Sequence, residues 1–312
     1  MIVFFGRLDD RPLALAIERA AAGDIPYVVV DQTRLHEDEL VLDVGADRVD
    51  GRLRTCGTEL ELGAIAAVYA RPLMLPTTRD DLARSRAEQF NGAFLEWLDD
   101  AACLVVNRPR AMRSNVSKPY QLQLVADAGM PVPPTLVTNQ PDLVRAFHAR
   151  HGRLVYKSIS GIRSIVTELD EASLPQLDRI RSLPTQFQAY VEGLDVRVHV
   201  VGDHVFATEI ASAATDYRYA RRNGEVATLS PTELPAAVRR RCVDLARRLA
   251  LPFCGIDLRR RPDGVHVCFE VNPMPAFAYF EGETGQPIAA ALVELLATAG
   301  ANLDAWSPFA RT

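Results

Sequence analysis

Near the C-terminal end of the chain, two acids and an amide stand in apolar company, in GIDL (Gly255–Leu258) and FEVNP (Phe269–Pro273). Between them, RRRPDGVHV carries Pro262-Asp263-Gly264, a strong turn signal flanked by two runs of alternating polarity. Folding about that turn sets Asp257 opposite residue 269 or 270. Asp257 and Glu270 then become cross-strand neighbours, about 5 Å apart if they share a face. Alternation along the second strand puts Cys268, Glu270 and Asn272 on one side, Phe269 and Val271 on the other. Two carboxylates and an amide oxygen on one face repel one another unless a cation joins them. Mg²⁺ suits such a set, because it takes oxygen ligands and leaves the rest of its shell to water and phosphates. An arginine partner for one of the acids is the alternative. The histidines are scattered and no nucleophile elbow occurs, so a zinc site or a Ser-His-Asp triad has no comparable support.

A second signal is compositional. Of 35 basic residues only two are lysine, Lys118 and Lys157. Where arginine serves everywhere else, the two lysines are candidates for tasks that need a compact ammonium on a thin stem; leftovers of a drift towards arginine are the alternative. Arg239, Arg240, Arg241, Arg247 and Arg248 crowd one predicted helix, and Arg259, Arg260 and Arg261 precede the turn. A solvated surface explains them plainly, and docking of an acidic peptide is the functional reading.

The elements that must position these residues are legible along 312 residues, enough for two or three domains with real cores. IVFFG and YVVVD read as strands around a helix from about Pro12 to Ala22; AIAAVYA is a strand, a helix follows from about Arg79 to Leu98, and ACLVVN is another strand. This alternation predicts a parallel sheet with helices packed on it. No GxGxxG follows the first strand, so a dinucleotide site has no support there. Ser114 or Asn115 can cap a helix running to about Ala128 with Pro119 near its first turn. After a strand in GMPVPPTLVTN comes a helix from about Pro141 to Arg150. RLVYKSI and SIVTEL are strands joined by SGIR, and FQAYVEG, DVRVHVVG and HVFATEIAS follow as strands, with Gly202-Asp203 closing a hairpin. A helix from about Pro235 to Ala250 precedes the acid-bearing hairpin and shows Val238, Leu245 and Leu249 on one face. The fold class is α/β, becoming α+β in the C-terminal half, with three αβ units at 1–111, 112–190 and 191–312.

Composition narrows the rest. A net charge of −5 argues against bulk nucleic-acid binding. No apolar run approaches the length of about 20 residues that spans a bilayer, and MIVFFGRLDD lacks a basic n-region, so it reads as a first strand and not as a signal peptide. Five cysteines without CxxC spacing read as reduced core thiols in a cytoplasmic protein.

Together these motifs resemble the ATP-grasp ligases. GIDL, with FEVNP placing Glu270 thirteen residues after Asp257, is similar to their metal-binding end. SKPYQLQLVADAGMPVPPTLVTN looks like the segment that opens their nucleotide-binding lid. VYKSISG resembles the lid strand with a phosphate-binding lysine, and FQAYVEGLDVRVHVVG the hinge that holds adenine. Order and spacing match over residues 112 to 295, best with RimK-like members and with ligases that macrocyclise ribosomal peptides, the microviridin-type graspetides.

The resemblance implies a nucleotide between the central lid and the C-terminal domain, with ATP and one or two Mg²⁺ as cofactors. It places Lys118 and Lys157 at the α- and β-phosphates. Gln188, Ala189, Tyr190 and Val191 would offer backbone groups to adenine, Glu192 would lie near base or ribose, and Asp195 joins these nucleotide contacts. Arg197, which shares a strand face with His199, would neutralise the transferred phosphoryl group. Asp257, Glu270 and Asn272 would hold the metal. The lid turn SGIRS departs from many relatives in having a single glycine, so Ser160, Gly161 and Arg163 would share the phosphate contacts. TDYRYARRNGE replaces the substrate-side loop of the ribosomal-protein glutamate ligases; Tyr217, Arg218 and Tyr219 there are candidates for substrate contact, with an exposed loop as the alternative.

The implied activity is an ATP-dependent carboxylate–amine or carboxylate–hydroxyl ligase working through an acyl phosphate, modifying or macrocyclising a ribosomal peptide, with a homodimer possible from relatives. The alternatives are a ligase of free amino acids or dipeptides, a kinase that stops at phosphoryl transfer, and a non-catalytic ATP-binding regulator. The full acid set speaks against the last, because a pure binder does not need it.

Overall fold

IVFFG forms β1 (Ile2–Gly6), every residue of it buried. Helix α1 (Arg11–Ala22) follows, capped by Asp10, whose carboxylate accepts the Leu13 N–H, and with Pro12 in its first turn. The chain returns in β2 (Tyr27–Asp31), parallel to β1. Next come β3 (Glu39–Val44), β4 (Val49–Thr55) and β5 (Thr58–Glu61), a separate antiparallel sheet that the sequence pattern did not announce. Its outer face carries the ion pairs Arg54–Glu39 and Arg52–Glu59, so apolar alternation there is weak. β6 (Ala67–Arg71), α2 (Asp81–Asp100) and β7 (Leu104–Val106) complete a parallel sheet of order β2-β1-β6-β7. Both faces of this sheet are covered, as a parallel sheet requires. Val3, Phe5, Val68 and Ala70 pack towards Phe90, Phe94 and Trp97 of α2, whereas Ile2, Phe4, Ala67 and Tyr69 pack towards Leu13 and Ala16 of α1.

After the one-turn helix α3 (Pro109–Met112), α4 begins at Lys118 and runs to Asp127. The expected caps Ser114 and Asn115 lie instead in a 3-10 turn (Arg113–Val116), and Ser117 takes the N-cap position. Pro119 explains the later start. A helix entered at Asn115 would need a proline N–H for its first bond, whereas within the first two positions that donor is not required. β8 (Thr135–Thr138), α5 (Pro141–His151), β9 (Leu154–Ser158), β10 (Thr167–Glu168) and β11 (Thr185–Ala189) build an antiparallel sheet of order β10-β9-β11-β8. It has its own small core around Val144, Leu154, Leu177 and Phe187. The computed structural model describes residues 1–46, 49–158, 166–170, 173–212 and 227–299.

β12 (Leu194–Val201) and β13 (His204–Ala211) form the expected hairpin, with Gly202 at φ +57° in its turn. β14 (Thr228–Thr232), α6 (Ala236–Arg248), β15 (Phe253–Arg260) and β16 (His266–Asn272) follow, and the sheet order is β14-β13-β12-β15-β16. Helices α7 (Phe277–Thr284) and α8 (Ile288–Ala297) end the described chain. Leu245 and Leu249 are buried and Val238 packs against the same cluster, as the helical spacing predicted. That cluster also takes in Val198, Ile256, Leu292, Leu13 and Ala16, so the N-terminal and C-terminal sheets share one core.

Among the described residues no helix is long and apolar enough to cross a membrane. All five cysteines are unpaired, and Cys103, Cys242, Cys254 and Cys268 are buried as expected. Burial pushes the Cys103 thiol up to about 11 and the Cys242 thiol up to about 12, so both remain protonated and inert. Cys56 is the exception: it sits exposed in the tight β4–β5 turn.

Candidate active site

β15 and β16 pair with Asp257 directly opposite Glu270, and the register shifts between Asp257 and Leu258. Leu258 therefore faces Cys268, and Phe269 is the extra residue of a bulge. This corrects the expected alternation. Cys268 and Val271 lie together in the core, whereas Phe269 and Glu270 both line a cleft between this sheet and the β8–β11 sheet. Each acid already has a cation. Arg197 Nη1 donates to Asp257 Oδ1 at 2.6 Å across the β12–β15 pair, and the Lys118 ammonium contacts the Glu270 carboxylate and Asn115 Oδ1, the latter at 3.2 Å. Asn272 stands opposite Gly255, and its Oδ1 accepts the Met274 N–H at 2.9 Å. Two carboxylates and an amide oxygen remain a fitting donor set for a hard divalent cation. No group of three or more His, Cys, Asp or Glu side chains that could by itself hold a metal ion occurs among the described residues.

Lys157 comes to the same cleft from β9, and Gln188, Ala189, Tyr190, Val191, Asp195 and Arg197 line it with the acids. Part of the hinge is committed within the protein. The Ala189 N–H donates to Pro134 O at 3.0 Å and the Tyr190 N–H to Arg153 O at 2.9 Å. Arg259 Nη1 donates to Val191 O at 3.0 Å, and its other nitrogens hold Asp195 at 2.7 and 3.0 Å. The backbone offer to an adenine is thus narrower than four whole residues. Glu192 is not drawn into the cleft: it is mostly exposed and lines a separate groove with Pro131–Pro134, its carboxylate 3.9 Å from Arg153. Ser160, Gly161, Arg163, Tyr217, Arg218 and Tyr219 lie outside the described residues.

Sequence reasoning missed three residues that set this geometry. Arg259 ties the hinge to the acid-bearing sheet. Asn107, buried at the end of β7, donates to Phe253 O at 2.6 Å and Pro273 O at 2.5 Å. Arg71, buried at the end of β6, donates to Pro275 O at 3.2 Å and is paired with Asp10. The parallel sheet thereby holds the loop that follows Asn272. Only the termination of apolar strands in Arg and Asn could have hinted at the last two. The arginine-rich surface is largely satisfied internally: Arg247 pairs with Asp203, Arg260 with Glu209 and Arg261 with Asp263. Arg239, Arg240 and Arg241 of α6 stay exposed.

His199 lies on the same strand face as Arg197, fully buried and edge-on to Phe280 at 5.0 Å. Neither ring nitrogen has a hydrogen-bond partner among the described residues. Burial, with a smaller push from Arg197, holds its pKa well below the ordinary histidine value. The ring stays neutral in the folded state, whereas the unfolded chain takes up a proton below about 6.5. Stability should therefore fall as pH drops through that value, by up to about 1.4 kcal/mol per pH unit from this residue. Thermal melts of the parent and His199→Phe between about pH 7.5 and 5 should show that part of the acid sensitivity only in the parent.

Comparison with known proteins then gives the class. The ATP-grasp ligase PsnB, in a structure with a phosphomimetic variant of its minimal precursor, Mg and ADP, superposes with a TM-score of 0.77 at 30% identity. The match covers 96% of this chain and 98% of PsnB. The macrocyclase MdnC of Microcystis aeruginosa MRC, bound with precursor peptide MdnA, gives 0.78 at 21% identity over 95% and 99% of the two chains, a likeness of fold alone. The RimK-like ATP-grasp domain profile matches residues 116–296, and the chain belongs to that family. Among sequence relatives, a probable alpha-L-glutamate ligase of Xanthomonas campestris pv. campestris is 30% identical over 67% of this chain and 74% of its own length. Beta-citrylglutamate synthase B of Danio rerio is 29% identical over 65% of this chain, which spans only 52% of that protein. The chain likewise spans 66% of a probable alpha-L-glutamate ligase of Pseudoalteromonas atlantica.

Proposed function

We propose that this protein is an ATP-dependent ligase that joins a carboxylate to an amine or hydroxyl through an acyl phosphate, and that its substrate is a ribosomal peptide. What carries the chemistry is the meeting of Asp257, Glu270, Lys157 and Arg197 around one cleft, with Lys118 paired to Glu270 behind it, in a RimK-like ATP-grasp domain. A peptide substrate is supported by the likeness to PsnB, which extends over nearly the whole of both chains and not the ATP-grasp domain alone.

In the first step a substrate carboxylate oxygen attacks the γ-phosphorus of ATP and ADP leaves. In the second, the nitrogen or oxygen of the acceptor attacks the acyl carbon and phosphate leaves, the acceptor losing its proton. Most of the first step is positioning and charge neutralisation. Lys118 and Lys157 set cations against the phosphates, and Arg197, buried and anchored on Asp257, presents its guanidinium where negative charge gathers. Asp257, Glu270 and Asn272 would hold one or two Mg²⁺, which would neutralise phosphate oxygens. Neutral, buried His199 is unsuited to relay a proton. Gln188 and the remaining hinge groups would orient the base, and Asp195, held by Arg259, would lie near the sugar.

The glutamate-ligase relatives favour a second reading, in which a free amino acid is the acceptor. ADP release decides between them when measured with candidate peptides encoded near the gene and with free amino acids. Peptide-dependent ADP release, with a mass loss of one water per bond on a self-modified peptide, is the expected result. Full activity on free glutamate alone would replace the peptide reading by the second one.

A further inference from the structure

A buried amide, that of Gln186, lies beside Lys157. Gln186 of β11 stands directly opposite Lys157 of β9 and Val137 of β8, so it shares their side of the sheet. That side faces the nucleotide cleft, because Lys157, Val155 and Gln188, which alternate with the core residues Tyr156 and Phe187, all line it. Gln188, two residues on, has its Nε2 satisfied by Thr135 Oγ1 at 3.1 Å. Gln186 does not. It is completely buried, and neither its Oε1 nor its Nε2 has a hydrogen-bond partner among the described residues. A buried amide with both ends unmet is costly, and such a group in a folded protein calls for a ligand or a strain-storing role.

We propose that Gln186 is a phosphate-binding residue of the nucleotide site, an inference that rests on the ligase reading above. Its Nε2 donates to a phosphate oxygen of the bound nucleoside triphosphate, while its Oε1 accepts from the Lys157 ammonium. The chemistry follows from the neighbour: an amide flanking a cation has a donor left for the anion which that cation attracts. The position agrees, because Gln186 lies on the Lys157 side of Gln188, away from the hinge. An apolar side chain would pack in this place more favourably in the free protein, so the glutamine gains its place through the ligand.

Gln186→Met keeps length and flexibility without either polar atom. Calorimetry with a non-hydrolysable ATP analogue and Mg²⁺ should show affinity weakened by about tenfold or more, the scale of a lost hydrogen bond to a charged group. Adenosine, which has no phosphate, should bind the variant as it binds the parent. The melting temperature without nucleotide should be unchanged or higher, which a merely structural glutamine would not give. Gln186→Glu keeps an acceptor but removes the donor and adds a like charge, so it should bind the analogue less well than Gln186→Met. Unchanged analogue affinity in both variants overturns the proposal, as does an equal loss for adenosine or a lowered melting temperature with full affinity. If Gln186→Met fails to fold, an unweakened Gln186→Glu overturns it. Lys157→Ala keeps the two readings apart: lost nucleotide binding there, with Gln186 variants unaffected, sinks this inference and leaves the ligase standing. A parent protein that binds no nucleotide overturns the ligase reading and this inference with it.

Discussion

If Glu270 is a metal ligand as proposed, Glu270→Gln should reduce substrate-dependent ADP formation by on the order of 10³-fold, because a negative ligand would be lost from a site worth several kcal/mol of charge stabilisation. Its second effect comes from the fold. Lys118 is 5% exposed, and its ammonium is held by Glu270 together with Asn115. With a neutral amide at 270 that charge stays buried with weaker acceptors, and stability should fall by about 1–3 kcal/mol. Turnover and melting temperature must therefore be measured together. A ligand role predicts that activity is partly recovered at high Mg²⁺ while the lower melting temperature persists. Parent-level turnover in this variant would show that the acid pair does not hold the metal.

Replacing Arg197 by glutamine should lower kcat by about 10²–10³-fold, the usual effect of removing one preorganised donor from developing charge. Nucleotide affinity should change far less, since Lys118 and Lys157 keep their places. The structure adds a sharper version of the test. The Arg197 guanidinium lies against Gly255, opposite His199 on β15; a Cβ at 255 would come 2.2 Å from Nη2 and 2.6 Å from Cζ. Gly255→Ala must displace the arginine, and it should reproduce most of the kcat loss with no charge removed. The double variant should be no slower than Arg197→Gln alone, because both substitutions act on one group. Additive losses would mean that Gly255 acts through the backbone and not through Arg197.

Both predictions name residues visible in the sequence, yet their reasons are spatial. Strand and helix positions were readable wherever the signal is local: β1 came from a continuous apolar run buried on both faces, and α1, α6 and the acid hairpin from a repeating face and turn chemistry. The three-stranded sheet at 39–61 was not, because paired charges on its exposed face hide the alternation. Helix α8, IAAALVELLA, has Glu294 as its one polar position and is mostly buried, so it shows no period, and α7 is a short helix with only Phe277 and Phe280 buried.

The amino-acid sequence by itself determined which chemistry was available: two acids and an amide across a Pro-Asp-Gly turn, two lysines in an arginine-rich chain, and an arginine on the strand between. It also determined the register of the acids to within one residue, because the turn allows little else. Tertiary structure decided how these groups are shared. A bulge at Phe269 turned two successive side chains into the cleft, Arg259 took the Val191 carbonyl and Asp195, and Glu192 was left on the far side of the hinge. Asn107 and Arg71 grip the loop after Asn272 across separations of 166 and 204 residues. Local propensity reports only what neighbours along the chain can do for one another. Which donor meets which acceptor is settled when distant strands pack and each buried polar group must find a partner.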